Sequence, residues 1–380
     1  MKKKYIIFSI VTLVLLVALI TSFNYFKTTN TYIDDNINNQ TKIIKGISMN
    51  LEQTAGAGDY KTVTQSSWPT EGYKFNAELS KCEKGSTLSW DDTKKAVIVS
   101  GNLSDKCYVY FDIYQPTLAE YIKSQYTGTQ GDNGIYYHNS TLANGAGDNS
   151  YRFAGASDSV NNYICLGSDV ATCPDANLFR IIGVFGAQTK VIRAKSVGNK
   201  QWDTNNSNTW SSSSLNTYLN GEYLTSLGTI ADKIATTTWK VGGGSYANIE
   251  TSVPKTAYQY EVGSSASSTT VDKKIGLMYV SDYYYSASPS AWTLVGYNES
   301  DATKDYRAAK TINWLYSGSY EWTISRYSGT TTLAFGVSST GYVNDGGVSN
   351  GGGVRPSFNL ESSVKYVSGS GSMSDPVRIN

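Results

Sequence analysis

Side chains able to act on or hold another molecule are unevenly spread along this chain of 380 residues. There is one His, His138, so nucleophilic dyads have a single candidate base and a multi-His metal site is ruled out. His138 follows Tyr136 and Tyr137 in a Gly- and Asn-rich stretch and reads as an exposed loop residue. The spacings of Cys82, Cys107, Cys165 and Cys173 match no zinc pattern, and there is no Cys-x-x-Cys. Glycoside hydrolysis needs two carboxyls roughly 5–9 Å apart. Asp301, Asp305 and Asp345 form the available set, and their spacing gives no preference for this over solvated turns. Gly346-Gly347 and Gly351–Gly353 lead into neither a helix start nor a Lys, so they do not make a phosphate loop. They read as turns that admit positive φ. The residues point to no metal and no cofactor.

What the chain has in abundance is tyrosine: 30 Tyr and 35 Gly in a background rich in Ser, Thr and Asn. Tyr and Trp offer large rigid contact area, and Ser, Gly and Asn offer adaptable hydrogen bonds, the composition of a recognition surface. Tyr283, Tyr284 and Tyr285 follow an apolar stretch, Ile275–Ser281, read as a strand. Adjacent residues on a strand alternate faces, so at least one of the three should be exposed. Trp292, Tyr316, Tyr320, Tyr327, Tyr342, Asn344 and Asp345 continue the pattern, with Arg326 near the same loop face. These residues are the candidate ligand-binding set. The competing reading is that such aromatics fill a core poor in Leu and Ile. Arg355, just before Pro356, is expected to make a structural ion pair or backbone contacts.

Charge narrows the partners. Lys+Arg number 32 and Asp+Glu 31, a net +1 without the basic surplus that phosphate contacts need, so nucleic acid is disfavoured. Lys2, Lys3 and Lys4 precede an uncharged stretch, Tyr5 to Phe23, long enough to span one bilayer core. The lysines orient it with the following chain outside. No small-x-small site is evident near Phe23, so a single-pass signal anchor is the expectation, with a cleaved signal peptide as the alternative. An oxidising location then accounts for the cysteines. Four Cys allow three pairings, of which pairing by neighbourhood, Cys82–Cys107 and Cys165–Cys173, is the simplest.

The elements that must carry these residues read as mainly β. Residues 24–41 are a polar stalk. Residues 42–115 alternate apolar and polar side chains (Phe75, Ala77, Leu79; Cys107, Val109, Phe111, Ile113), as half-buried antiparallel strands do, with Trp68 and Trp90 as core anchors. Pro116 opens a larger α+β domain running to residue 380. Thr117 and Glu120 form a capping box for a helix that Gly128 can end. Leu178–Phe185 and Lys190–Lys195 form a hairpin. A helix follows Trp210, with Leu215, Tyr218, Leu219 and Tyr223 on one face and Gly221 inside it. Short strands broken by Gly follow Trp314.

Several of these stretches carry a resemblance: Trp210 with Leu215, Tyr218, Leu219 and Asn220; Trp314-Leu315-Tyr316; Ala334–Val343; and Val354-Arg355-Pro356-Ser357-Phe358-Asn359-Leu360. Together they resemble an uncharacterised family of bacterial surface domains with a Trp-Leu stretch followed by a Gly-Val-Arg-Pro strand. Its layout is similar to the C-type-lectin fold of the formylglycine-generating enzymes and of variable receptor-binding proteins. The resemblance covers residues 175–380. The Cys82–Cys107 module resembles one that often precedes such ectodomains. Departures limit what is carried over. No Cys follows Cys173, so the oxidase chemistry is not implied. The Glu-Pro-Asn, Gln-Pro-Asp and Trp-Asn-Asp motifs of calcium-dependent lectins are missing.

The expectation is therefore a bacterial cell-surface protein, anchored in the plasma membrane, whose C-type-lectin-like ectodomain binds an external glycan or protein without catalysis, as an adhesin does. A cell-wall or glycan hydrolase on the same scaffold and a structural envelope or pilus-like component are the alternatives.

Overall fold

In the computed structural model the described residues are 46–380, without 65, 66, 70, 103 and 295–308, and without the side chains of 309 and 310. The stretch read as an anchor (5–23), the stalk (24–41), Asp301 and Asp305 lie outside the described residues. Strands hold 35% of the described residues and helices 17%, so this part of the chain is mainly β. It divides into two compact units at Gln115/Pro116.

The smaller unit contains β1 (Ile47–Glu52), β2 (Tyr60–Val63), β3 (Tyr73–Cys82), β4 (Thr87–Asp91), β5 (Ala96–Ser100) and β6 (Cys107–Ile113). The sheet order is β2-β1-β6-β3, with β4 and β5 as a separate hairpin. The alternation in β6 buries Cys107, Val109 and Phe111 on one face. Phe111 is the centre of this core, with the rings of Trp68, Phe75 and Trp90 5.7–6.0 Å away. The unit is not purely antiparallel: β1 runs parallel to β6, because the long excursion through β3–β5 returns the chain on the far side of β1. The register of β3 on β6 sets Cys82 opposite Cys107, and the two form a disulfide. Closing a loop of this size stabilises a small unit by roughly 3 kcal/mol through the unfolded chain.

The larger unit opens with α1 (Leu118–Ser124), capped by Thr117 and Glu120 in a complete capping box. It ends at Gln125, whose N–H donates to Ile122 and Lys123, three residues before Gly128. β7 (Ile135–Tyr137) and β8 (Tyr151–Phe153) form a hairpin, and β9 (Tyr163–Cys165) leads through the Cys165–Cys173 disulfide to β10 (Leu178–Phe185). β10 turns at Gly186, φ 64°, into β11 (Gln188–Arg193). β10 is the centre of the main sheet, flanked by β11 on one edge and by β9 and β8 on the other, so it is buried on both faces. That is why it reads as one apolar run.

The chain continues through β12 (Asn199–Gln201) and a helix, α2 (Ser214–Tyr218), which runs on into a π turn at Leu219–Tyr223 that contains Gly221. β13 (Thr237–Lys240) pairs with β14 (Thr270–Lys273), and α3 (Pro254–Glu261) lies between them. β15 is only Ile275–Gly276. Val280 already begins α4 (Val280–Tyr285), so the stretch read as a strand is a short strand followed by a helix. β16 (Glu321–Arg326), β17 (Leu333–Val337), β18 (Val343–Gly347) and β19 (Gly351–Gly353) build the second sheet, in the order β12-β19-β16-β17-β18. β20 (Ser357–Leu360) returns to the main sheet beside β11, and β21 (Tyr366–Ser368) and β22 (Val377–Ile379) close its other edge.

The glycines of β18 and β19, expected in turns, are strand residues. Bare backbone is needed there because Tyr320 and Trp322 lie across the sheet. A Cβ on Gly346 would stand 2.5 Å from the Tyr320 hydroxyl, and one on Gly352 2.6 Å from the Trp322 indole nitrogen. Gly352→Ala should therefore destabilise the large unit by about 1–3 kcal/mol through overpacking, read as a lowered midpoint in thermal unfolding. Gly351→Ala, whose Cβ would meet nothing within 4 Å, should leave the midpoint within a degree or two.

Candidate functional site

The expected recognition set divides by burial. Tyr283, Tyr284, Tyr285 and Trp292 are 0–1% exposed. On α4 successive residues point about 100° apart, and α4 is enclosed on every side, so adjacent tyrosines are all buried. Each finds a carbonyl: Tyr283 donates to Gly341 (2.7 Å), Tyr284 to Ile249 (3.2 Å), Tyr285 to Asn144 (3.1 Å), and the Trp292 indole to Ala287 (2.9 Å). These four are core residues, which corrects the expected exposure. His138 is corrected likewise. It is fully buried against Tyr285 and Trp292, and its Nδ1 accepts from the Ala146 N–H.

Tyr316, Tyr320, Arg326, Tyr327, Tyr342, Asn344 and Asp345 are half-buried. They do not share one face. Gly336 pairs with Asn344 and Phe335 with Asp345, so Asn344 and Asp345 point to opposite sides of the second sheet. Tyr320 lies on the Asn344 side, against Gly336 and Gly346. On the other side Tyr327 stacks on Tyr246 (4.1 Å) beside Phe335. There Asp345 faces Tyr246 and Glu250, and burial together with the Asp345 charge pushes the Glu250 carboxyl up to about 7. Arg326 donates to Asn208. Tyr316 donates to Ser339 and lines a cavity elsewhere.

That cavity, of about 480 Å³, opens between the two sheets of the large unit, with Tyr163, Arg180, Trp314, Tyr316, Glu321 and Arg355 in its wall. Arg355 and Glu321 are both buried and form the ion pair expected of Arg355. Nε and Nη2 donate to Glu321 Oε2 at 2.9 and 2.7 Å, and Nη2 also donates to the Leu315 carbonyl. Nη1 takes no protein partner among the described residues and is not wholly buried, and since Arg355 lines the cavity it opens there.

Arg180 has no carboxylate partner among the described residues. It donates to Asn162 Oδ1 (2.6 Å), Ser157 Oγ (2.7 Å) and the carbonyls of Ser157, Val160 and Trp314, and its guanidinium lies over the rings of Tyr163 (4.3 Å) and Trp314 (4.7 Å). Burial, and the like charge of Arg355, lower its pKa to about 10. It remains cationic at neutral pH, so the wall carries an uncompensated positive charge.

Sequence reasoning missed Arg180, Tyr163 and Glu321. A usable signal was present for Arg180, since a cation inside the apolar run of β10 must be paired or enclosed by acceptors. Glu321 carries no local signal that separates it from the other acidic residues.

A second group of buried charges lines a smaller cavity of about 280 Å³. Lys190 pairs with Asp282 at 2.5 Å and Arg152 with Asp148 at 2.6 Å. Nearby, Glu261 accepts from the N–H groups of Val280 (3.0 Å) and Ser281 (2.8 Å) and contacts Ser325 Oγ. The grouped metal-ligand types Cys82, Asp105 and Cys107 are already committed. The sulfurs form the disulfide, and Asp105 accepts from the N–H groups of Lys84 and Ser86.

Residues 187–362 match a family described as a domain of unknown function (DUF6273). The matched segment starts in the β10–β11 turn and ends just after β20, so it includes Tyr316, Glu321 and Arg355 but not Tyr163 or Arg180. No curated protein and no solved structure matches the chain.

Burial pushes Glu261 up to about 7 despite its donors. A carboxyl raised in the folded state adds stability that is full below about pH 4.5 and is lost as pH rises to about 7. Glu261→Gln mimics the protonated acid and should remove that slope. In urea unfolding, wild type should lose roughly 2 kcal/mol more than Glu261→Gln between pH 5 and pH 8. Parallel pH curves would refute the assignment.

Proposed function

We propose that this chain is a bacterial cell-surface binding protein: an N-terminal membrane anchor, a small disulfide-bonded β unit, and a large C-type-lectin-like unit that captures an external ligand without transforming it. The polar cavity around Arg180 and Arg355 carries the reading. It is large enough for a small ligand or the end of a larger one, it is walled by aromatic rings, and it holds more positive charge than its own carboxylate balances. Its titratable members are locked in ion pairs or carbonyl contacts, the arrangement of a preorganised binding site. The two disulfides suit an oxidising compartment outside the membrane. A screen of the full-length chain against host glycans, mucins and cell-wall polymers should yield a ligand whose binding weakens at least about tenfold in Tyr316→Ala. Uniform failure to bind, or binding indifferent to the cavity, would remove the reading.

One observation favours a hydrolase as the second reading. Glu250, held near 7, and Asp345 stand together beside the stacked Tyr246 and Tyr327, as an acid and a carboxylate beside a sugar platform would. Among the described residues Asp345 is accompanied by Glu250; the other two carboxylates considered at the outset lie outside them. Turnover of cell-wall polymers abolished by both Glu250→Gln and Asp345→Asn would establish it. No turnover is expected if the chain only binds.

A further inference from the structure

The chemistry of the cavity wall narrows the ligand. Three cationic side chains, Arg180, Arg355 and Lys195, face one carboxylate, Glu321. Lys195 is satisfied at the rim by Asp175 (2.5 Å), both being well exposed. The inner charges differ. Glu321 neutralises one arginine, and two are present, in a place too buried for bulk water to screen the difference. An isolated buried cation is costly unless an anion or dense hydrogen bonding offsets it. Arg180 is offset by acceptors alone, with every N–H used, so it contributes charge and not a contact. Arg355 contributes the contact, through the outward N–H pair on Nη1. The two edges of the guanidinium that involve Nη2 are committed to Glu321 and Leu315, so what remains is a fixed charge-assisted donor on Nη1, and with the background positive field it suits an anionic oxygen such as that of a carboxylate.

The rest of the wall is hydroxylated: Ser157, Ser196, Ser317 and Ser319 line it, with Asn199. No Val, Leu, Ile or Met reaches it, and its apolar surface is confined to Ala194 and the aromatic rings. Tyr163 and Tyr316 are half-buried and present ring surface to the opening. Polar hydroxyls beside aromatic rings suit a ring-shaped ligand that is itself hydroxylated.

We infer that the cavity takes a carboxylate-bearing saccharide, its acid group on the outward N–H pair of Arg355 and its ring against Tyr163 and Tyr316. This rests on the proposed binding role and names the ligand class of the same site.

The test is calorimetric titration of the full-length chain with three probes: digalacturonate, its dimethyl ester, and a tripeptide with a free C-terminus. Digalacturonate should bind at least about tenfold more tightly than the ester, which keeps the size and ring hydroxyls and removes the charge. Arg355→Lys keeps a cation for Glu321 but loses the Nη1 donor, and should weaken digalacturonate about tenfold or more, with thermal unfolding confirming a folded variant. Should that variant fail to fold, Tyr316→Ala supplies the same readout from a half-exposed position. Equal binding of acid and ester overturns the carboxylate. Tighter binding of the tripeptide overturns the saccharide. If all three probes fail while the wider screen finds a cavity-dependent ligand, the ligand class is wrong and the binding role stands. If the screen fails too, both are wrong.

Discussion

Two opposite charges are buried together where the chain passes from one sheet to the other. Glu321 begins β16 in the second sheet, and Arg355 sits between β19 and β20, on the way back to the main sheet. Taking such a pair out of water costs several kcal/mol per ion, and only close, multiply bonded geometry offsets it. That geometry is met here by two bonds to one carboxylate oxygen and a third to the Leu315 carbonyl. The pair therefore specifies how the two sheets meet. A small displacement of either sheet would leave an unpaired buried charge. It also forms part of the cavity wall, so the same constraint that joins the sheets shapes the candidate site.

Around this joint the core is built largely from aromatic side chains. Trp202, Trp210, Trp239, Trp314 and Trp322 are almost wholly buried, with the tyrosines of α4. Each such ring brings a polar end, and apart from Trp210 each of these indoles finds an acceptor. Trp202 donates to the Thr323 carbonyl, Trp314 to that of Phe153 and Trp322 to that of Lys200. These bonds run between segments far apart in sequence, so aromatic packing here also fixes relative positions by hydrogen bonding. Glycine is the counterpart. Where Trp322 and Tyr320 lie flat on the second sheet, β18 and β19 carry no side chain to obstruct them.

The polar groups of the large unit fall into three environments with different chemical scope. The Lys190–Asp282 and Arg152–Asp148 pairs are enclosed by aromatic rings and serve the core. Glu250 and Asp345 are half-buried carboxyls, and the charge of Asp345 helps to raise that of Glu250. The Arg180–Arg355 cavity combines access, preorganised donors and surplus charge. Binding asks only for complementarity, whereas hydrolysis also asks for a proton donor and a water or nucleophile at set positions. That difference is why the cavity supports the proposed binding role and the carboxyl pair its alternative.

Local patterns were read well from the sequence. The capping box at Thr117 and Glu120, the hairpin around Gly186 and the nearest-neighbour disulfides all depend on residues close in sequence or on short closures, which leave few alternatives. The partner of Arg355 was another matter. An ion pair was foreseeable from an Arg flanked by apolar strand residues, but Glu321 could not be singled out among 31 acidic residues without the sheet order. Tyr283–Tyr285 were misplaced because three adjacent tyrosines look alike on a strand with one wet face and on a helix with none. Only the packing around α4 distinguishes them. The glycines of β18 and β19 were misread for the same reason, since the rings they accommodate come from β16. What the chain determined by itself was the mainly β character, the boundary at Pro116 and the local caps and turns, because short-range sterics and hydrogen bonding set them. Which aromatics are buried, which charges pair and where a cavity opens were decided by tertiary structure, because each depends on segments brought together only when the two sheets meet.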